Sequence, residues 1–79
     1  MALINKNNIF KIEKNRNSVH KEVDCSYIMF LGNNGQRYIQ LDTYGSKDRQ
    51  FAGKVSQTIQ FNKETAQYLV DVLKQEFGI

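Results

Sequence analysis

Asn33-Asn34-Gly35 sits between two runs in which apolar and polar residues alternate, and this arrangement constrains the chain more than any other feature. A tight reversal needs positive φ, which Asn and Gly tolerate, so the flanking runs are expected to pair as an antiparallel hairpin. The first run sets Val19, Lys21, Val23, Cys25, Tyr27, Met29 and Leu31 against His20, Glu22, Asp24, Ser26, Ile28 and Phe30, which predicts a strand over 19–31. The second predicts a strand over 37–44. Shorter strand patterns occur at 9–14, where Ile and Phe alternate with Lys and Glu, and at 55–61, where Val55, Ile59 and Phe61 fall on one side. The charged, glycine-bearing stretch 45–54 reads as a loop.

The end of the chain changes period. Asn62 is a good N-cap, Glu64 lies in the first turn near the positive end of the dipole, and Gly78 can stop a helix. Ala66, Leu69, Val70, Leu73 and Phe77 then form one apolar stripe. Seventy-nine residues allow a single domain. The expected fold is α+β: a four-stranded twisted antiparallel sheet (β-β-β-β-α) over 9–79 with one C-terminal helix packed on one face, after a flexible N-terminal arm at 1–8. Strand parity places Ile39 and Leu41, with Ile59, under Leu69 and Leu73. Tyr38, Gln40, Asp42 and Tyr44 then look the other way, as a platform for stacking and hydrogen bonding, although β-propensity alone also accounts for exposed tyrosines. So short a chain buries only about 60% of its unfolded surface, which favours help from a partner chain. Tyr68 and Val72, four residues apart and off the main stripe, form a second ridge and are the expected homodimer interface, the alternative being that they cover the sheet's edge within one chain.

Several chemistries are disfavoured at once. One cysteine and one histidine support neither an intramolecular disulfide nor a zinc site of the usual Cys/His type, so no metal is expected. His20 has no nucleophile in a recognisable motif and reads as an exposed strand residue; Cys25 reads as a small buried apolar one. Gly32 and Gly35 flank a hairpin rather than open a helix, so neither a P-loop nor a dinucleotide motif is present. No catalytic residues, no cofactor and no enzyme are expected. The chain has no apolar run near the roughly 18 residues of a membrane span, and 1–12 lacks the pattern of a secretory signal. A cytoplasmic protein without a membrane partner is expected.

The charge is more informative. The net charge is +3, and the first sixty residues carry nine Lys and Arg against five Asp and Glu. That raises the case for a polyanionic partner, although a solvated basic surface explains the same balance. The most distinctive stretch runs from Asp42 to Gln57 and combines Lys47, Arg49 and Lys54 with Tyr44, Phe51, two glycines and small donors such as Ser46. Cations, hydroxyls and close-approach glycines suit phosphates, and aromatic rings stack on unpaired bases. A solvated loop with an internal Asp48–Arg49 or Asp42–Arg49 pair accounts for the same residues.

Gly35-Gln36-Arg37-Tyr38-Ile39-Gln40-Leu41-Asp42-Thr43-Tyr44, the charged loop, and Gly53-Lys54-Val55-Ser56-Gln57-Thr58-Ile59-Gln60-Phe61-Asn62 leading into a terminal helix resemble the C-terminal domain of transcriptional positive cofactor four and its small bacterial relatives. The resemblance covers about residues 9–77 and rests on element order and on the glycine-lysine-strand-Asn-helix junction. It implies a twisted four-stranded antiparallel sheet with a helix, a homodimer, and coactivator-like binding of single-stranded DNA along the sheet in transcription or replication. Carried over, Arg37, Tyr38, Tyr44, Lys47, Arg49 and Lys54 would contact the nucleic acid, with Gln57 beside them, and the helix would join the dimer. The alternative is a small phage or mobile-element protein that inhibits or adapts a protein partner through the exposed sheet.

Overall fold

A computed structural model of the chain describes residues 1–45 and 54–79. Its elements in chain order are β1 (Ala2–Ile4), a single 3-10 turn (Lys6–Asn8), β2 (Cys25–Leu31), β3 (Arg37–Tyr44), β4 (Val55–Asn62) and α1 (Lys63–Phe77). The four strands form one sheet in the order β1-β4-β3-β2. Four strands followed by one helix is the expected α+β order, but the sheet is mixed. β2, β3 and β4 are antiparallel, whereas β1 runs parallel to β4, with Ala2 opposite Ile59 and Ile4 opposite Phe61.

The hairpin forms where the Asn-Asn-Gly signal places it. The Gly35 N–H donates to the Gly32 carbonyl at 3.1 Å and the Gly32 N–H to that of Gln36 at 2.7 Å. The Asn residues keep negative φ, and Gly35 alone takes the left-handed value, +82°. The loop is therefore a longer hairpin closed by glycine rather than a two-residue turn. Gly32 has a different task. A Cβ there would come within 2.7 Å of the Tyr38 ring, so the backbone passes under that ring only because no side chain intervenes.

Two strand expectations are corrected. The strand expected over 19–31 begins only at Cys25, because Leu31 pairs with Arg37 and the register reaches Thr43 at Cys25. β3 ends one residue later, so residues 19–24 have almost nothing left to pair with; a bond from the Tyr44 N–H to the Asp24 carbonyl closes the ladder. Cys25 and His20 are both exposed, and His20 is not in a strand. The strand expected over 9–14 is absent because β1, within the stretch expected to be a loose arm, occupies the edge of β4.

The helix starts and stops as its sequence signals require. The Asn62 side chain accepts from the Thr65 N–H at 3.1 Å, and Gly78 ends the helix at φ 64° with its N–H donating to the Lys74 carbonyl. Thr65 is fully buried, and its hydroxyl donates to the Ile4 carbonyl at 3.2 Å, tying the helix start to β1. The expected packing of α1 over the sheet does not follow. From Val70 to its end every helical residue is exposed, and Leu73, expected in the core, is 47% exposed. Among the described residues no hydrophobic side chain is buried. The radius of gyration is 14.9 Å, where a compact chain of this length has about 11.6 Å. The apolar pattern is present, but a single chain does not close it into a core.

Candidate nucleic-acid interface

Residues directly opposite each other in a ladder share a face, so the registers sort the sheet into two surfaces. One surface carries Tyr27, Met29 and Leu31 of β2, Ile39 and Leu41 of β3, Ile59 and Phe61 of β4, and Ile4 of β1. The other carries Ser26, Ile28 and Phe30, then Tyr38, Gln40, Asp42 and Tyr44, then Thr58, Gln60 and Asn62. The parity expected for β3 holds: Tyr38 and Tyr44 lie with Gln40 and Asp42, opposite to Ile39 and Leu41.

The polar surface is knit by side-chain hydrogen bonds. The Gln60 amide donates to the Gln40 carbonyl oxygen at 2.7 Å, and the Gln40 amide donates to both Asp42 oxygens at 3.1 Å. The Thr58 hydroxyl donates to Asp42 Oδ1 at 2.7 Å. At one end of the sheet the hydroxyls of Ser26 and Tyr44 share a hydrogen bond at 2.8 Å. At the other, Tyr38 stacks on Phe30 with ring centroids 5.7 Å apart and accepts from the Asn34 amide at 2.8 Å. Asp42 therefore contacts neutral donors on its own sheet. Its carboxylate in the middle of the face disfavours a phosphate there, leaving the centre to neutral groups that exchange hydrogen bonds.

The expected site residues do not form one cluster. Tyr38 and Tyr44 share a face but are six residues apart on one strand, about 20 Å at the usual rise. Arg37 is exposed at the hairpin end of β3, on the apolar side. Gln57 lies opposite Thr43, also on that side, so it is not placed beside the tyrosines. Lys54 is exposed just before β4. Lys47 and Arg49 fall outside the described residues, as does Asp48. A β-bulge in β4 moves Val55 opposite Tyr44, away from the side of Ile59 and Phe61 that its sequence spacing suggested. Tyr68 and Val72, the expected dimer ridge, line a groove with Ile9, Phe10 and Lys11 of their own chain.

Ser26, Phe30, Thr58 and Gln60 belong to the polar surface without having been singled out from the sequence. The parity of β4 was the available signal, since Thr58 and Gln60 alternate with Ile59 and Phe61. Among the described residues no three His, Cys, Asp or Glu side chains gather as a metal would need, and no helix is long and apolar enough to cross a membrane. No protein-family model, no curated protein and no solved structure matches the chain.

Proposed function

We propose that this protein is a non-enzymatic, cytoplasmic, single-stranded nucleic-acid-binding module that acts as a homodimer, in the manner of the positive-cofactor-four domain it resembles. The observation that carries the reading is the polar face itself. It presents Gln40, Thr58 and Gln60 between two tyrosines, and its Tyr44 end adjoins in sequence the segment that holds Lys47, Arg49 and Lys54. Amides and hydroxyls can exchange hydrogen bonds with base edges, while the cations neutralise phosphates at the margin. Asp42 works against phosphates at the centre, so the backbone of a bound strand would follow the loop side. Tyr44 is the better stacking ring, because Tyr38 is already engaged by Phe30 and the hairpin turn.

Fluorescence anisotropy with labelled oligo-dT, against duplex DNA and RNA, tests this reading. Binding to single strands should weaken with salt, with a log–log slope of about −0.7 for each phosphate neutralised. Absence of binding at low salt, where electrostatics are strongest, overturns it. The exposed apolar face, with Tyr27, Met29 and Leu31 each more than 60% exposed, favours a second reading as an adaptor or inhibitor of a protein partner. Binding through that face would be nearly insensitive to salt.

A further inference from the structure

We infer that the polar face selects among bases, favouring guanine over thymine and uracil, and that Asp42 sets this preference. The inference deepens the single-strand-binding reading, on which it rests, and is independent of oligomeric state. An inventory of donors and acceptors on the face leads to it.

An ionised carboxylate accepts hydrogen bonds and donates none, so Asp42 fixes the direction of every bond around it. Gln40 must turn its amide nitrogen toward the carboxylate, and that nitrogen lies 3.1 Å from both Asp42 oxygens, sharing one proton between them. The Gln40 carbonyl oxygen is thereby left for β4, where the Gln60 amide donates to it at 2.7 Å. The Thr58 hydroxyl proton goes to Asp42 Oδ1 at 2.7 Å. Within this cluster two protons stay unspent, one on each amide. Many more acceptor positions stay open: one on Asp42 Oδ2, one on the Gln40 carbonyl oxygen, and two each on the Gln60 carbonyl oxygen and the Thr58 hydroxyl. The carboxylate has drawn the donors inward and turned the face into an acceptor surface. All four residues are half-buried, which strengthens the selection by weakening competition from water.

The face also has room for a base. Leu3 lies opposite Gln60 and shares its side of the sheet. Met1, Ala2 and Leu3 line a groove of about 390 Å³ with Gln40, Thr58 and Gln60, within the size range of small-molecule sites. Asp42 stands opposite Thr58 beside it. Leu3 offers an apolar wall to the flat of a ring, and the polar side chains address its edge.

Unpaired bases present their Watson–Crick edges. Thymine and uracil flank one imino N–H with two carbonyl oxygens, which an anionic acceptor surface repels. Cytosine and adenine each bring one amino group. Guanine alone sets N1–H beside N2–H2, two adjacent donors, and its O6 can accept a remaining amide proton. It is the best complement to this face.

Anisotropy competition with the full chain decides the matter, using thymidine oligomers that carry one central guanine, inosine, cytosine, adenine or thymine. The guanine should tighten binding about tenfold over thymine. The ratio should hold as salt rises, because the same phosphates are neutralised in both. Inosine, which lacks only the 2-amino group, should fall between the two. Asp42→Asn, which puts a donor where an acceptor stood, should reverse the order so that thymine binds at least as tightly as guanine. If that variant fails to fold, the wild-type series decides alone. Equal wild-type affinities for guanine, inosine and thymine overturn this inference and leave the single-strand reading standing. Absence of binding to every oligomer at low salt overturns both.

Discussion

The two faces of the sheet are built from the same strands and meet opposite fates. On the polar face, side chains satisfy one another across the ladders: Gln60 donates to Gln40, Gln40 and Thr58 donate to Asp42, and Ser26 pairs with Tyr44. Among the described residues no buried side-chain nitrogen or oxygen lacks a partner. On the apolar face Tyr27, Met29 and Leu31 remain largely in water. The contrast follows from the nature of the two interactions. A hydrogen bond is short and directional, so adjacent strands suffice. Burying apolar area requires a second layer, and α1, the only α-helix among the described residues, is exposed from Val70 onward.

Substitutions on the two faces should therefore differ in size. Leu41→Asp, at the centre of the apolar face, should have the largest effect: if a second layer covers that face in solution, an unpaired charge there costs several kcal/mol, and circular dichroism should show no cooperative melt. A folded variant with a wild-type melting temperature would mean that the face stays wet in solution. Leu73→Ala separates the single-chain and two-chain descriptions. If a second copy buries Leu73, the loss should be about 2–5 kcal/mol and the melting temperature should depend on protein concentration. If Leu73 stays as exposed as it is in one chain, the loss should be within about 0.5 kcal/mol.

Gly32→Ala tests the hairpin end of the polar face. The new methyl would sit 2.7 Å from a Tyr38 ring carbon and 3.0 Å from Asn34 Oδ1. Because Phe30 and Asn34 hold that ring, we expect a cost of about 1–3 kcal/mol in denaturant titration. Thr58→Val should be the mildest, about 1 kcal/mol, since Asp42 keeps its two bonds from Gln40. A larger loss than Leu73→Ala would reverse the ranking of the faces.

Much of this was legible in the sequence. The hairpin at Asn33–Gly35, the β3 parity and the capped helix from Asn62 to Gly78 each depend on local signals, and each is found. The misses are non-local. That β1 would add parallel to β4 depends on which segment reaches a free edge first, and no turn signal near Ala2–Ile4 announces it. The shortening of β2 follows from the length of β3, a property of its partner. The amphipathic stripe of α1 marks residues suited to a core, but periodicity does not say what covers them, and within one chain Val70, Leu73 and Phe77 stay exposed. For the candidate site, parity located Tyr38 and Tyr44, while placing Arg37 and Gln57 with them required the register, which puts both on the other side.

The proposed function turns on a nucleic-acid strand lying across the polar face rather than the apolar one. Amide and methyl chemical-shift mapping during titration with oligo-dT tests it most directly. The account predicts shifts at Gln40, Tyr44, Thr58 and Gln60, with Met29, Leu41 and Ile59 unmoved. Shifts concentrated at Met29, Leu41 and Ile59 would contradict it.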